Sequence, residues 1–424
     1  MDRKLKIGVF GGGRGISMVT ALLQNEKDRA ELVAVCDQLQ IMLDRVKAAA
    51  DEAGVEVALY TDFDEFIKHD MDAVVLANFG HEHAPYAIKC MKMGKHVMSE
   101  VVPCETMAQA VELVETVEQT GMVYTYAENY CYMEHTFDMW KRYRNGDIGN
   151  ILYAEGEYVH DIAKMWPALC FGEKDHWRAR AYPTFYCTHS LGPIVFATGL
   201  RPVKVVGFET PLIPKNLEIG MVRGSGIEMV TLENGALVKS FHGGMKREPA
   251  NVSYIMYGEK GVMETGRLAG SYSMNMYVEG EKRGEGNWEY YNPTYFVDTE
   301  KQLGKMGHGG SDFYPTHFFI DKILGLPGGD LAIDIYQALD MGICGILAWR
   351  SVLNGNIPMD VPNFRDPAQR EPYRYDNACT NPEIAGDELL PSTSNSHDEI
   401  PDSVFDHLKE LWEAGKNING DPHV

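Results

Sequence analysis

The N-terminal part of the chain alternates short apolar runs with amphipathic ones. Residues 6–10 read as an apolar strand, 11–15 as a glycine-rich turn, and 16–23 place apolar side chains on one side of a helix. Residues 32–37 are apolar without interruption and close on Asp37, as a strand buried on both faces does. A helix stopped by Gly54 follows, then a strand at 72–78, a helix at 84–93 ending at Gly94 and a strand at 96–100. An amphipathic helix at 106–120 is closed by Gly121, and a strand covers 122–126. Strand and helix in strict alternation predict an α/β domain with a doubly wound parallel sheet.

From about residue 150 the period changes. Runs at 151–158, 203–208, 226–232, 236–242, 253–257 and 261–265 are short, partly alternating and separated by Gly, Asn and Pro. This predicts a mostly antiparallel sheet in an α+β domain. Helices are expected at 312–324 and 332–353. Residues 363–401, rich in Pro, Asp, Asn and Ser, are expected to be an extended arm, with a last short helix at 403–415. No internal repeat is found. The expected parts are a cofactor-binding domain at 1–127, a substrate and oligomerisation domain at 128–362, and the arm at 363–424.

Composition narrows the class. With 45% apolar and 24% charged residues, the 424-residue chain has the makeup of a soluble globular protein. Its net charge of -22 opposes non-specific binding to nucleic acid or anionic membranes. No apolar stretch approaches the roughly 18 residues of a membrane helix, and no secretion signal is seen. The eight cysteines form no C-x-x-C pair and are read as free thiols in a reducing compartment, so the expected location is the cytoplasm.

The glycine-rich turn is the first chemical signal. Between a first strand and a first helix it leaves room for a pyrophosphate at the helix N-terminus. Gly11 and Gly13 take the first two positions of G-x-G-x-x-G; the third is Ile16, and Gly15 stands in for it. Asp37 ends the second strand, where a carboxylate accepts bonds from ribose hydroxyls. Gln38 follows, with no Arg beside it to receive a 2′-phosphate, so NAD is expected rather than NADP. His81-Glu82-His83 has a metal-ligand spacing but no third ligand to match, and no metal is expected.

The segment Gly94-Lys95-His96-Val97-Met98-Ser99-Glu100 closely resembles the G-K-H-V-x-x-E-K-P stretch of the Gfo/Idh/MocA oxidoreductase superfamily. The resemblance implies a Rossmann domain followed by an open-faced sheet on which substrate lies against the nicotinamide. It places Arg14, Asn78, His81, Glu100 and Asn129 around the cofactor, beside Gly11, Gly13, Gly15 and Asp37. Two positions depart from the family pattern. Val101 stands where the usual catalytic Lys would follow Glu100, and Phe185 stands at the Asp of D-x-x-x-H, although His189 is kept.

One branch of the superfamily, the glycoside hydrolases of family 109 and related redox glycosidases, also lacks that Lys. Five segments here resemble it: 128–132, 156–161, 176–178, 188–193 and 308–312. The resemblance implies an NAD-dependent glycosidase. Hydride leaves C3 of the sugar, the C2 hydrogen becomes acidic, the aglycone is eliminated, water adds back and the ketone is reduced again. This differs from the two-carboxylate route of ordinary glycosidases. His189 and Tyr158 are the expected acid and base. Glu128, His160, Trp177, Arg178 and His308 are the expected sugar contacts. The alternatives are an NAD-dependent dehydrogenase of a sugar or cyclitol, and a non-enzymatic sensor. The expected partners are a carbohydrate or glycoside and further copies of the chain.

Overall fold

The computed structural model describes residues 3–247, 249–267, 272–282, 287–294 and 306–422. Two compact units emerge: residues 1–138, 293–340 and 363–375 form the first, and 139–292, 341–362 and 376–424 the second.

The first unit is built on a six-stranded parallel sheet of order β3-β2-β1-β4-β5-β6. Its strands are β1 (Leu5–Phe10), β2 (Ala30–Cys36), β3 (Ala58–Tyr60), β4 (Ala73–Leu76), β5 (His96–Ser99) and β6 (Tyr124–Tyr126). Ile7, Val9, Leu32, Val35, Val75 and Met98 are fully or almost fully buried and form its core, joined by Phe319 and Ile320 of the helix Phe313–Leu324. The uninterrupted apolar pattern of these strands follows from burial on both faces. The expected first helix is Ile16–Thr20, which continues as a turn of π-helix to Asn25. Strand β3 and the helix Phe63–Phe66, whose N-terminus Asp62 caps through Glu65 N, have no counterpart among the expected elements. Each is a single turn or three residues long, too short for a period to register.

The second unit carries a nine-stranded sheet of order β14-β13-β12-β11-β7-β10-β9-β8-β15. Its strands are β7 (Ile151–Val159), β8 (Pro202–Glu209), β9 (Gly226–Leu232), β10 (Leu237–Gly243), β11 (Asn251–Gly258), β12 (Gly261–Thr265), β13 (Met274–Val278), β14 (Trp288–Tyr291) and β15 (Met359–Asp360). Neighbours run antiparallel except β7 and β10, which pair in parallel, so the sheet is mixed but mostly antiparallel, as the residue pattern implied. The buried helix Thr188–Thr198 covers one face. It approaches β7 at Gly156, where a Cβ would lie 1.8 Å from the Ser190 carbonyl oxygen. Ser190 Oγ meets Ser240 Oγ of β10 at 2.8 Å.

Beyond residue 363 the chain is more regular than an extended arm. One-turn helices occupy Pro367–Arg370 and Pro382–Ala385, started by Asp366 and Asn381 side chains. The last helix, Asp402–Glu413, buries Phe405 and Leu408 against Trp166 and Cys170. Pro and Asp, which read as loop formers in the sequence, here cap and open short helices.

Candidate functional sites

In the first unit the expected cofactor residues lie after the carboxyl ends of β1, β2, β4, β5 and β6. Gly11 has φ +100, and a Cβ there would fall 2.3 Å from the Ala77 carbonyl. At Gly15 a Cβ would fall 2.1 Å from Gly11 O, so the turn is closed to any larger residue at both positions. Asp37 ties this turn to β2: its Oδ2 accepts from Gly12 N at 2.6 Å and its Oδ1 from Leu39 N at 2.8 Å. Asn78 gives its amide to Glu82 at 3.0 Å, while its buried carbonyl oxygen has no partner among the described residues. A bare turn, a carboxylate with lone pairs to spare and an orphaned buried acceptor together fit a dinucleotide. His81 stacks on Phe79 close by.

Three other expected residues converge on a carboxylate to which the sequence had assigned no role. Asp312 takes both Arg14 guanidinium nitrogens at 2.8 and 3.0 Å, Asn129 Nδ2 at 2.6 Å and His308 Nδ1 at 3.0 Å. Arg14 Nε also faces Glu100 at 2.8 Å, and Glu100 accepts from Val101 N. Burial by itself would raise the Asp312 carboxyl. The bonds from His308 and Arg14 outweigh burial and hold it well below the usual carboxylate range. Arg14 is thus committed to two acids, and its part in the turn is to fix the loop. Glu128 is fully buried just after β6, with Oε1 accepting from Tyr130 N. Among the described residues no cluster of three or more His, Cys, Asp or Glu gathers as a metal site would, and no helix is long and apolar enough to cross a membrane.

In the second unit a concave pocket is lined by Tyr158, His160, Trp177, Arg178, Tyr186, Arg223 and His242. The Tyr158 hydroxyl and His160 Nδ1 are hydrogen-bonded at 3.1 Å. The Tyr158 ring meets the buried His189 edge-on at 4.8 Å, and Tyr186 meets it at 5.0 Å. His189 lies in the first turn of the helix Thr188–Thr198, and its backbone carbonyl accepts from the Tyr254 hydroxyl, which ties the start of the helix to β11. Trp177 lies under the Arg178 guanidinium at 4.4 Å. Phe185 is buried against Tyr182 and Trp177. Tyr158, His160, Trp177, Arg178 and His189 therefore gather in one unit, and Glu128 and His308 belong to the other.

Two groups in this pocket were missed. His242 sits opposite Tyr158 in the β7–β10 register, and its Nε2 bonds the fully buried Glu228 Oε1 at 2.8 Å. The signal for this pair was available: Glu228 falls on the inward parity of β9, where an acid requires a partner. Arg223 lies in an irregular stretch with no period, and no pattern pointed to it.

Residues 5–128 match the oxidoreductase family with the NAD-binding Rossmann fold, and residues 215–369 match the glycosyl hydrolase 109 C-terminal domain. A glycosyl hydrolase family 109 protein of Saccharopolyspora erythraea is 27% identical over 395 residues, covering 85% of this chain and 83% of the relative. One from Solibacter usitatus is 25% identical over 398 residues, covering 85% and 88%. Among solved structures, myo-inositol 2-dehydrogenase of Lactobacillus plantarum superposes with a TM-score of 0.65 at 18% identity, covering 85% of this chain and all of that one. Scyllo-inositol dehydrogenase of Lactobacillus casei, with bound NAD(H) and scyllo-inositol, gives 0.63 at 18% identity, covering 84% and 99%. At these identities the structural likeness shows the shared fold.

Proposed function

Because the chain joins an NAD-binding Rossmann domain of the Gfo/Idh/MocA oxidoreductase type to a C-terminal region of the glycosyl hydrolase 109 type, we propose that it is an NAD-dependent glycosidase with no net redox change. NAD, when bound, supplies a hydride acceptor and returns the hydride later. Gly11, Gly13 and Gly15 leave the backbone open to its pyrophosphate, Asp37 is placed for ribose hydroxyls, and the Asn78 carbonyl is a free acceptor. The chain's own work is on protons. Oxidation of the C3 alcohol of a sugar acidifies the neighbouring C2 hydrogen, and its removal expels the aglycone from C1.

The observation that carries this reading is the Tyr158–His160–His189 cluster. A phenol hydrogen-bonded to one imidazole and packed against another can take a proton and return it without a metal or a carboxylate pair. Val101, where ordinary dehydrogenases of this fold have their Lys, leaves plain alcohol oxidation without its usual base.

The second reading is an NAD-dependent dehydrogenase of a sugar or cyclitol, which the inositol dehydrogenases among the structural neighbours favour. A panel of chromogenic α- and β-glycosides separates the two. Aglycone release without accumulating NADH, with exchange of the C2 hydrogen into deuterated water, is the expected result. Stoichiometric NADH from free sugars supports the dehydrogenase instead. Tyr158→Phe keeps the ring contact with His189 but removes the bond to His160. It is expected to slow C2 exchange by about 100-fold or more while the protein stays folded. His189→Ala is expected to abolish exchange. Full exchange in both variants removes these residues from the mechanism.

A further inference from the structure

The pocket of the second unit carries two cations that no carboxylate among the described residues neutralises. The sequence has 61 acidic and 39 basic residues, and several of its partly buried arginines meet acids. Arg29 pairs with Glu26, Arg350 with Asp376, Arg365 with Asp340 and Arg370 with Glu118. Arg178 and Arg223 do not. Among the described residues neither forms an ion pair with Asp or Glu; each instead lies over an aromatic ring. Arg178 stands 4.4 Å from the centre of Trp177 and 6.0 Å from that of Tyr186, and Arg223 stands 5.8 Å from that of Trp166.

The two cations share one wall. Arg223 donates to the backbone carbonyl of Arg178 at 3.3 Å, and both line the pocket that holds Tyr158 and His160. Burial, and then repulsion from Arg178, push the Arg223 guanidinium down to about 10, where it is still charged at neutral pH. Two acids of the neighbouring strands and loop are already engaged: Glu228 by His242 at 2.8 Å, and Asp161 by Lys246 at 3.0 Å. Desolvating a cation without a countercharge is costly, and the chain has acids in excess to prevent it. A guanidinium stacked on a ring leaves its in-plane N–H groups pointing outward, in the fork that fits a flat oxyanion.

We infer that the glycoside taken by this pocket bears an oxyanion substituent, a carboxylate or a sulfate or phosphate ester, which Arg178 and Arg223 receive. The inference rests on the reading above that this pocket holds the sugar. It adds what that reading leaves open, namely that an uncharged glycoside is the poorer substrate. A carboxylate on the ring matches the planar fork best, and the ester arms of the test separate it from the tetrahedral anions.

The experiment uses the full-length protein loaded with NAD. Its panel is a matched set of aryl glycosides: a neutral hexopyranoside, the corresponding uronide, and the 6-sulfate and 6-phosphate. At least one anionic member is expected to be turned over with a kcat/KM roughly tenfold or more above the neutral parent. Arg178→Gln and Arg223→Gln are expected to erase that preference. A neutral parent cleaved as well as every anionic member overturns the inference. If no member is cleaved, the glycosidase reading fails on its own account, and calorimetry with the free sugars tests the pocket separately. Free uronic acid, sugar sulfate or sugar phosphate binding roughly tenfold tighter than the neutral sugar, lost in Arg223→Gln, upholds the inference. Equal or absent binding of the anionic sugars overturns it. The conservative Arg223→Lys keeps the charge but loses the fork, and is expected to retain part of the preference, which loss of folding would not produce.

Discussion

At the scale of single residues, Asp312 bears more weight than any residue that the sequence put forward as a ligand. One buried carboxylate gathers Arg14 from the glycine-rich turn, Asn129 from the segment after β6 and His308 from a loop with left-handed backbone. Asp312→Asn keeps the shape and removes the charge. Losing one partner of a buried ion pair costs about 3–5 kcal/mol; because Arg14 is partly solvated, a loss of about 2–3 kcal/mol is expected. The pH dependence has a definite sign. The folded-state pKa is depressed, so the unfolded chain takes up the proton first. The stabilisation is whole above about pH 5 and is lost as the pH falls below the ordinary carboxylate range. Urea unfolding of both proteins between pH 8 and pH 4 checks this. The gap should be constant down to about pH 5 and then narrow; a gap that widened in acid would contradict the assignment.

At the scale of elements, the register of β7 against the helix Thr188–Thr198 determines where Tyr158 and His189 meet. Gly156 permits that approach, since a Cβ there would strike the Ser190 carbonyl. Gly156→Ala is expected to push the helix off the sheet, with a loss of about 1–3 kcal/mol from overpacking and a larger loss of activity, because His189 moves with the helix. Gly235, with open space around it and a left-handed φ of +88, is the control in which a substitution adds backbone strain alone. Denaturation midpoints and C2 exchange measured on both variants separate displacement of the helix from backbone strain.

The same elements show what the sequence made legible and why. The six parallel strands carry uninterrupted apolar runs because both faces are covered, so five of them were readable, and β3, with three half-buried residues, was not. The inward parity of β7 and β10 was likewise visible. Residues that meet through the fold at long range were not. Asp312 lies far along the chain from Arg14 and stood only inside a family-like segment, and Arg223 reaches the pocket from an aperiodic loop, so neither was assigned a role. Tyr158, His160 and His189 came from family resemblance rather than periodicity, and the structure brings them together in one cluster.

At the scale of the whole molecule, thiol chemistry has been kept out of reach. All eight cysteines are free and all eight are buried. Burial pushes Cys36, Cys90 and Cys104 up to about 12 and Cys170 to about 11, and it holds Cys131 and Cys187 well above the usual thiol range. A thiol near 12 is ionised to only about one part in ten thousand at pH 8, and the thiolate is the reactive form. These side chains act as small apolar packing groups, and any attack on them must wait for the surrounding fold to open. A thiol-specific chromogenic reagent at pH 8 is therefore expected to find no fast-reacting thiol in the native protein and all eight in denaturant, with identical mobility under oxidising and reducing conditions. A thiol that reacted within seconds in the folded enzyme would mean that at least one segment of the core opens freely. The labelled position, found by peptide mapping, would identify which segment it is.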